Sequence, residues 1–79
     1  MNLVIDIGNS FMKVAVVDGN NIIASQRVTV DSEIDVAGLK AAYPDLQRAI
    51  VASSGVPTSE VASALRDEGL WTLEMNSLT

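Results

Sequence analysis

The residue pattern predicts an α/β domain: a mixed five-stranded sheet in the order 3-2-1-4-5, built from the succession β-β-β-α-β-α-β. Three observations carry this expectation. The chain opens on two short β-branched runs joined by a tight turn, and a second Gly/Asn turn adds a third strand. From there, segments with apolar residues three and four apart alternate with near-continuous apolar runs, as helices between buried strands require.

Leu3-Val4-Ile5-Asp6-Ile7 is the first run, Gly8-Asn9-Ser10 interrupts it, and Met12 to Val17 is the second. With Asn9 and Ser10 as a two-residue turn, antiparallel register sets Ile7 opposite Met12, Asp6 opposite Lys13, Ile5 opposite Val14 and Val4 opposite Ala15. One face then holds Leu3, Ile5, Ile7, Met12, Val14 and Val16. The other holds Val4, Ala15 and Val17, with Asp6 and Lys13 as its charges. Asp18-Gly19-Asn20-Asn21 is a second hairpin signal, because Gly and Asn accept the positive φ of primed turns, and Ile22 to Val30 follows as a more polar edge strand.

Ser32 and Asp35 are candidate N-caps for a short helix in which Val36, Leu39, Ala42 and Tyr43 share a face until Pro44 stops it. Arg48 to Ser53 reads as a strand buried on both sides, with Ser54-Gly55-Val56-Pro57 as the loop after it. Pro57 suits the first turn of a second helix, Val61, Ala62 and Leu65 form its buried face, and Gly69 is a natural C′ residue. Leu70 to Met75 resumes as a strand. Right-handed crossovers would set strands four and five parallel to strand one, with both helices on one face and the other uncovered.

Residues 1–79 form one domain, since a chain this short hides only about 60% of its unfolded surface and supports one modest core. Apolar residues are 48% and charged residues 19%, which argues against disorder. Five basic and ten acidic residues leave a net charge of −5, with no Lys/Arg cluster to follow a phosphate backbone, so nucleic acid is not an expected partner. The absence of Cys and His excludes thiolate nucleophiles, Ser-His-Asp triads and zinc sites of the usual kind. No apolar run approaches the ~20 residues of a membrane span, and Asp6 interrupts a signal-peptide reading, so a cytoplasmic location is expected and no membrane partner.

Asp6 to Lys13 packs an acid, a glycine turn, an amide, a hydroxyl and an ammonium into one short segment. Gly8 would let backbone approach a ligand, successive N–H groups of the turn would form an anion-binding concavity, and Asn9 and Ser10 would add donors. Lys13 would supply a point charge. Asp6 would repel phosphate directly, so its sensible role is to hold Mg²⁺ through water. A plainer reading stands beside this one: an ordinary hairpin turn, with Asp6 and Lys13 as a cross-strand ion pair contributing ~0–1 kcal/mol.

A first strand ending in Asp6-Ile7-Gly8-Asn9-Ser10, a lysine three residues on, a second strand closing in Val17-Asp18-Gly19, and Val51-Ala52-Ser53-Ser54 followed by Val56-Pro57 together resemble the N-terminal region of type III pantothenate kinases. The segment Asp6 to Lys13 is similar to the first phosphate motif of the superfamily of acetate and sugar kinases, heat-shock chaperones and actin. The resemblance implies an RNase H-like (actin-like ATPase) half, and an ATP-dependent enzyme that phosphorylates pantothenate in the first step of coenzyme A synthesis. It implies Mg²⁺ and a monovalent cation (K⁺ or NH4⁺) as cofactors, ATP and pantothenate as small-molecule partners, and a homodimer. By matching position, Asp6 would act through the metal, Gly8, Asn9 and Ser10 would contact phosphate, and Lys13 would neutralise it. Phe11 and Met12 stand where the family often has polar residues. The family's later G-x-D-R aspartate, second phosphate loop and adenosine loop have no counterpart in the 79 residues. The chain is therefore expected to be the N-terminal subdomain of a larger kinase, inactive alone.

Among the remaining residues, Ser53-Ser54-Gly55 before a helix is a secondary anion-site candidate, against a plain capping turn. Trp71 reads as core or buried interface rather than a stacking platform. Glu60, Asp67 and Glu68 read as a solvated helix face. Two alternatives to a kinase are a non-catalytic actin-like or regulatory nucleotide-binding protein of the same superfamily, and a small α/β binding module.

Overall fold

A computed structural model of the chain describes residues 1–53 and 57–76. Its elements are β1 (Asn2–Ile7), β2 (Phe11–Asp18), β3 (Asn21–Thr29), α1 (Val36–Ala42), β4 (Arg48–Ser53), α2 (Ser59–Asp67) and β5 (Trp71–Asn76), and the five strands form one sheet in the order β3-β2-β1-β4-β5. β1 pairs antiparallel with β2 and parallel with β4, and β4 pairs parallel with β5. This is the expected topology. The first hairpin also has the expected register, with Ile7 opposite Met12 and Asp6 opposite Lys13.

Alternation in the strands decides where the core lies. Leu3, Ile5 and Ile7 of β1, Met12, Val14 and Val16 of β2, and Ala49 and Val51 of β4 are buried on one face beneath Val36, Leu46, Leu65 and Leu70. Each Val, Leu, Ile or Met among them contributes about 1.5–3 kcal/mol when fully buried. Both helices serve this face. Val4, Ala15, Val17, Ile50, Ala52 and Leu73 alternate onto the opposite face, which no element covers among the described residues. Trp71 belongs there too and is 62% exposed. That corrects the core arm of the reading of Trp71 as core or buried interface: β5 is an edge strand, and its outward positions Trp71, Leu73 and Met75 lie on the uncovered side. For the same reason β4 is buried on one side and only half-buried on the other.

Asp35, not Ser32, caps α1: its carboxylate accepts from the Gly38 N–H at 3.0 Å, while the Ser32 hydroxyl is bonded to Thr29 at 2.8 Å. Pro57 lies before Thr58, the N-cap of α2, and so precedes the helix rather than entering its first turn. The Thr58 hydroxyl makes no capping bond and donates instead to Glu74 of β5 at 2.7 Å. α2 ends as expected. Gly69, at φ 84, sends its N–H to the Arg66 carbonyl at 2.9 Å, and Leu70 sends its own to the Leu65 carbonyl at 3.1 Å. These two bonds and the buried pair Leu65 and Leu70 make a Schellman ending.

The β2-β3 hairpin departs from a regular ladder. Gly19 has φ 61 but Asn20 does not share the positive sign, the combination of a II′ turn. Just beyond it the register shifts: Val17 pairs with Ile22 but Val16 with Ala24, leaving Ile23 as the extra residue of a bulge. Without the bulge, Met12 would oppose Arg27 on the core side. With it, Ala24 and Val28 pack against the core and Arg27 moves to the open face opposite Lys13.

Candidate functional site

β1 and β2 bring all five candidate residues to one end of the sheet. The Gly8 N–H donates to the Phe11 carbonyl at 2.8 Å, which closes a turn with Asn9 and Ser10 at its tip. Val30 donates to the Ser10 carbonyl at 3.0 Å, so the turn is also tied to the end of β3. Asn9 and Ser10 have no positive φ, so this turn is not a primed one. Gly8 likewise keeps an ordinary φ, and its need for glycine is spatial. A Cβ there would lie 3.1 Å from the Phe11 carbonyl oxygen, so the close approach is to the chain's own backbone.

Asn9 and Ser10 are exposed, and among the described residues neither their side chains nor their N–H groups make a hydrogen bond. Four donor groups are thus open to solvent at one hairpin tip. An anion meeting successive N–H groups of a turn would find them oriented without further reorganisation.

Asp6 and Lys13 are exposed on the open face, side by side in the ladder, and Asp6 has Ala52 as its other neighbour. They form no ion pair: among the described residues the one salt bridge joins Arg66 and Glu74 at 3.1 Å. The plain reading of this pair as a cross-strand ion pair is therefore not what the structure contains.

Arg27 joins this row, and sequence reasoning missed it. It stands opposite Lys13, exposed, with its guanidinium carbon 4.8 Å from the centroid of the Phe11 ring. The only signal was the bulge, which the residue pattern does not announce. A mixed-charge row, Asp6, Lys13 and Arg27, thus runs across β1, β2 and β3 beside the turn.

The donor set has consequences for a metal. No group of three acidic residues is placed to hold a metal ion among the described residues, and Asp6 is the single carboxylate of the row. That suits a hydrated Mg²⁺ sharing its coordination with phosphate oxygens and does not suit an ion held by protein ligands alone. A cleft of about 650 Å³ lies across the sheet, between the segment after β3 and α2. Asp31, Glu33 and Glu60 line it, so its charge opposes phosphate, and of the hairpin it shares only Met12. Of the secondary candidate, Ser53 is buried at the end of β4 opposite Ile7, whereas Ser54 and Gly55 lie outside the described residues.

Strand order 3-2-1-4-5, with an acid on the central strand and a donor-rich hairpin beside it, defines an RNase H-like α/β unit with a candidate anion site at the first turn. The family model described as type III pantothenate kinase matches residues 2–74, nearly the whole chain, and the chain belongs to that family. The family is one of kinases acting in coenzyme A biosynthesis, and kinases use ATP. A comparison with curated proteins finds no match. No helix among the described residues is long and apolar enough to cross a membrane.

Proposed function

We propose that residues 1–79 are the phosphate-binding N-terminal subdomain of an enzyme that transfers the γ-phosphoryl group of ATP to pantothenate. The observation that carries this reading is the unpaired state of the hairpin: a carboxylate, an ammonium and two free turn residues share one end of the sheet without satisfying one another. Charges without protein partners beside free N–H groups are what a nucleotide's phosphate tail, accompanied by Mg²⁺, would complete. Family membership supplies the substrate pair.

Each residue then has a distinct task. The N–H groups and side chains of Asn9 and Ser10 bind phosphate oxygens, and the Gly8-to-Phe11 bond holds the turn in shape while they do so. Lys13 neutralises charge on the tail. Asp6 would hold Mg²⁺ through water, and the ion would offset charge developing on the phosphoryl oxygens. With Asp6 committed to the metal, none of these groups is left to act as base for the pantothenate hydroxyl, so the row binds and orients, and deprotonation belongs to a group outside it. Phosphoryl transfer rests on positioning nucleophile and phosphates together.

The test is nucleotide binding by the full-length protein, measured by calorimetry with MgATP, for wild type and Lys13→Gln. The reading requires measurable binding that the substitution weakens; a full-length protein that phosphorylates pantothenate with Lys13→Gln at wild-type KM for ATP would overturn it.

A further inference from the structure

The bulge at Ile23 and the ring of Phe11 together give Arg27 a place that neither strand pattern nor turn chemistry explains. The shift between Val16 and Val17 turns Arg27 onto the open face, directly opposite Lys13. Two like charges opposite one another on neighbouring strands are destabilising, and neither has an acidic partner among the described residues. The Phe11 ring then holds the guanidinium: Phe11 is the first residue after the turn, on the same face, and the stacking distance is 4.8 Å. Arginine's planar head both stacks on an aromatic face and presents a fork of donors to phosphate. The local balance points the same way. In a chain of net charge −5, two of the five basic residues, Lys13 and Arg27, stand level with each other on this face, with Asp6 as the acid of the row.

We propose that Arg27 is a further ligand-binding residue of the hairpin site, a second cation that with Lys13 takes an oligophosphate rather than a single phosphate group. Phe11 is its positioning residue. This rests on the reading of the Gly8-Asn9-Ser10 turn as the phosphate site and adds to it the class of anion accepted. A lone phosphate is served by the turn and Lys13, whereas a chain of two or more phosphates spans both cations.

The experiment uses the full-length protein and four probes: MgATP, MgADP, tripolyphosphate and inorganic phosphate, titrated at low and at moderate salt. Arg27→Gln is expected to weaken MgATP and tripolyphosphate binding about tenfold, to leave inorganic phosphate nearly unchanged, and to flatten the salt dependence. Arg27→Lys, which keeps the charge without the fork, should recover part of the loss. Phe11→Leu should weaken binding about threefold in the same direction, the size of an exposed cation–π contact. If Lys13→Gln weakens MgATP binding while Arg27→Gln binds all four probes as wild type does, Arg27 is no ligand and the hairpin reading stands. If neither substitution changes MgATP affinity, the hairpin reading falls and this proposal with it. A lowered melting temperature for Arg27→Gln with unaltered probe selectivity and salt dependence would make the residue structural and overturn the proposal.

Discussion

Asp6 and Lys13 face each other across the antiparallel ladder of β1 and β2, and yet they do not pair. Opposite charges in adjacent register positions have Cβ atoms about 5 Å apart and usually meet when nothing else competes. Here both side chains remain in solvent at the donor-rich end of the sheet. Separate variants therefore report on separate tasks.

Asp6→Asn keeps size and removes charge. Because Asp6 is exposed and unpaired, the melting temperature should stay within the range of a surface substitution, about 0.5 kcal/mol in either direction. Mg²⁺-dependent turnover by the full-length protein should fall severely. Near-normal turnover would remove Asp6 from the site.

Lys13→Ala should raise the KM for ATP with little change in stability, since Lys13 forms no ion pair among the described residues. Steady-state kinetics beside a melting curve decide it. Unchanged kinetics with a large drop in melting temperature would make Lys13 a structural residue.

Purified residues 1–79 should show no pantothenate-dependent ATP turnover, because on the proposed reading the hairpin supplies phosphate-binding groups alone and Asp6 is committed to the metal. A coupled assay measures this. Turnover that disappears in Asp6→Asn would contradict it.

Gly69→Ala tests the end of α2. The backbone at φ 84 is costly for any residue with a Cβ, while the added carbon would meet only Lys40 Nζ at 3.7 Å. The expected loss is therefore backbone strain of about 1–2 kcal/mol, or several degrees in melting temperature for a chain of this size.

Glu74 gives the fold a pH dependence. The Thr58 hydroxyl, then the Arg66 guanidinium, bond to its carboxylate and hold it below the ordinary glutamate value of 4.5. A carboxylate with a depressed pKa stabilises the fold above its unfolded value, and the contribution is lost as pH falls through the folded one. Wild type and Glu74→Gln should thus differ in melting temperature at neutral pH and converge as pH falls below the ordinary glutamate range and through the lowered folded value. A difference that persists unchanged in acid would exclude the carboxylate as its source.

Much of this architecture was legible in the residues. The hairpin register followed from the apolar alternation around Asn9-Ser10, and the Schellman ending followed from Gly69, because period and turn chemistry are local properties. Strand order followed from the right-handed crossover rule, and the five candidate residues came together because they are nearly consecutive in sequence. Less visible were features decided at a distance. Asp35 prevailed over Ser32 as a cap because the Ser32 hydroxyl bonds to Thr29, and Thr58 gave its hydroxyl to Glu74 on another element. Arg27 was hidden altogether, since strict alternation sends it to the wrong side and only the bulge at Ile23 turns it back.

β1 is hydrogen-bonded on both flanks, antiparallel to β2 and parallel to β4, with Leu3, Ile5 and Ile7 at 0 to 2% exposure on one side and Asp6 on the other. Its reading frame in space is therefore as strict as the one in its gene. A one-residue insertion or deletion within it would bring Asp6 to the core and send the apolar side chains outward. The same length change between Asp31 and Glu33, after Val30 has met the turn and before Asp35 caps α1, leaves every strand in register. Tolerance of length variation should accordingly fall to nothing across residues 2–7 and return after residue 30.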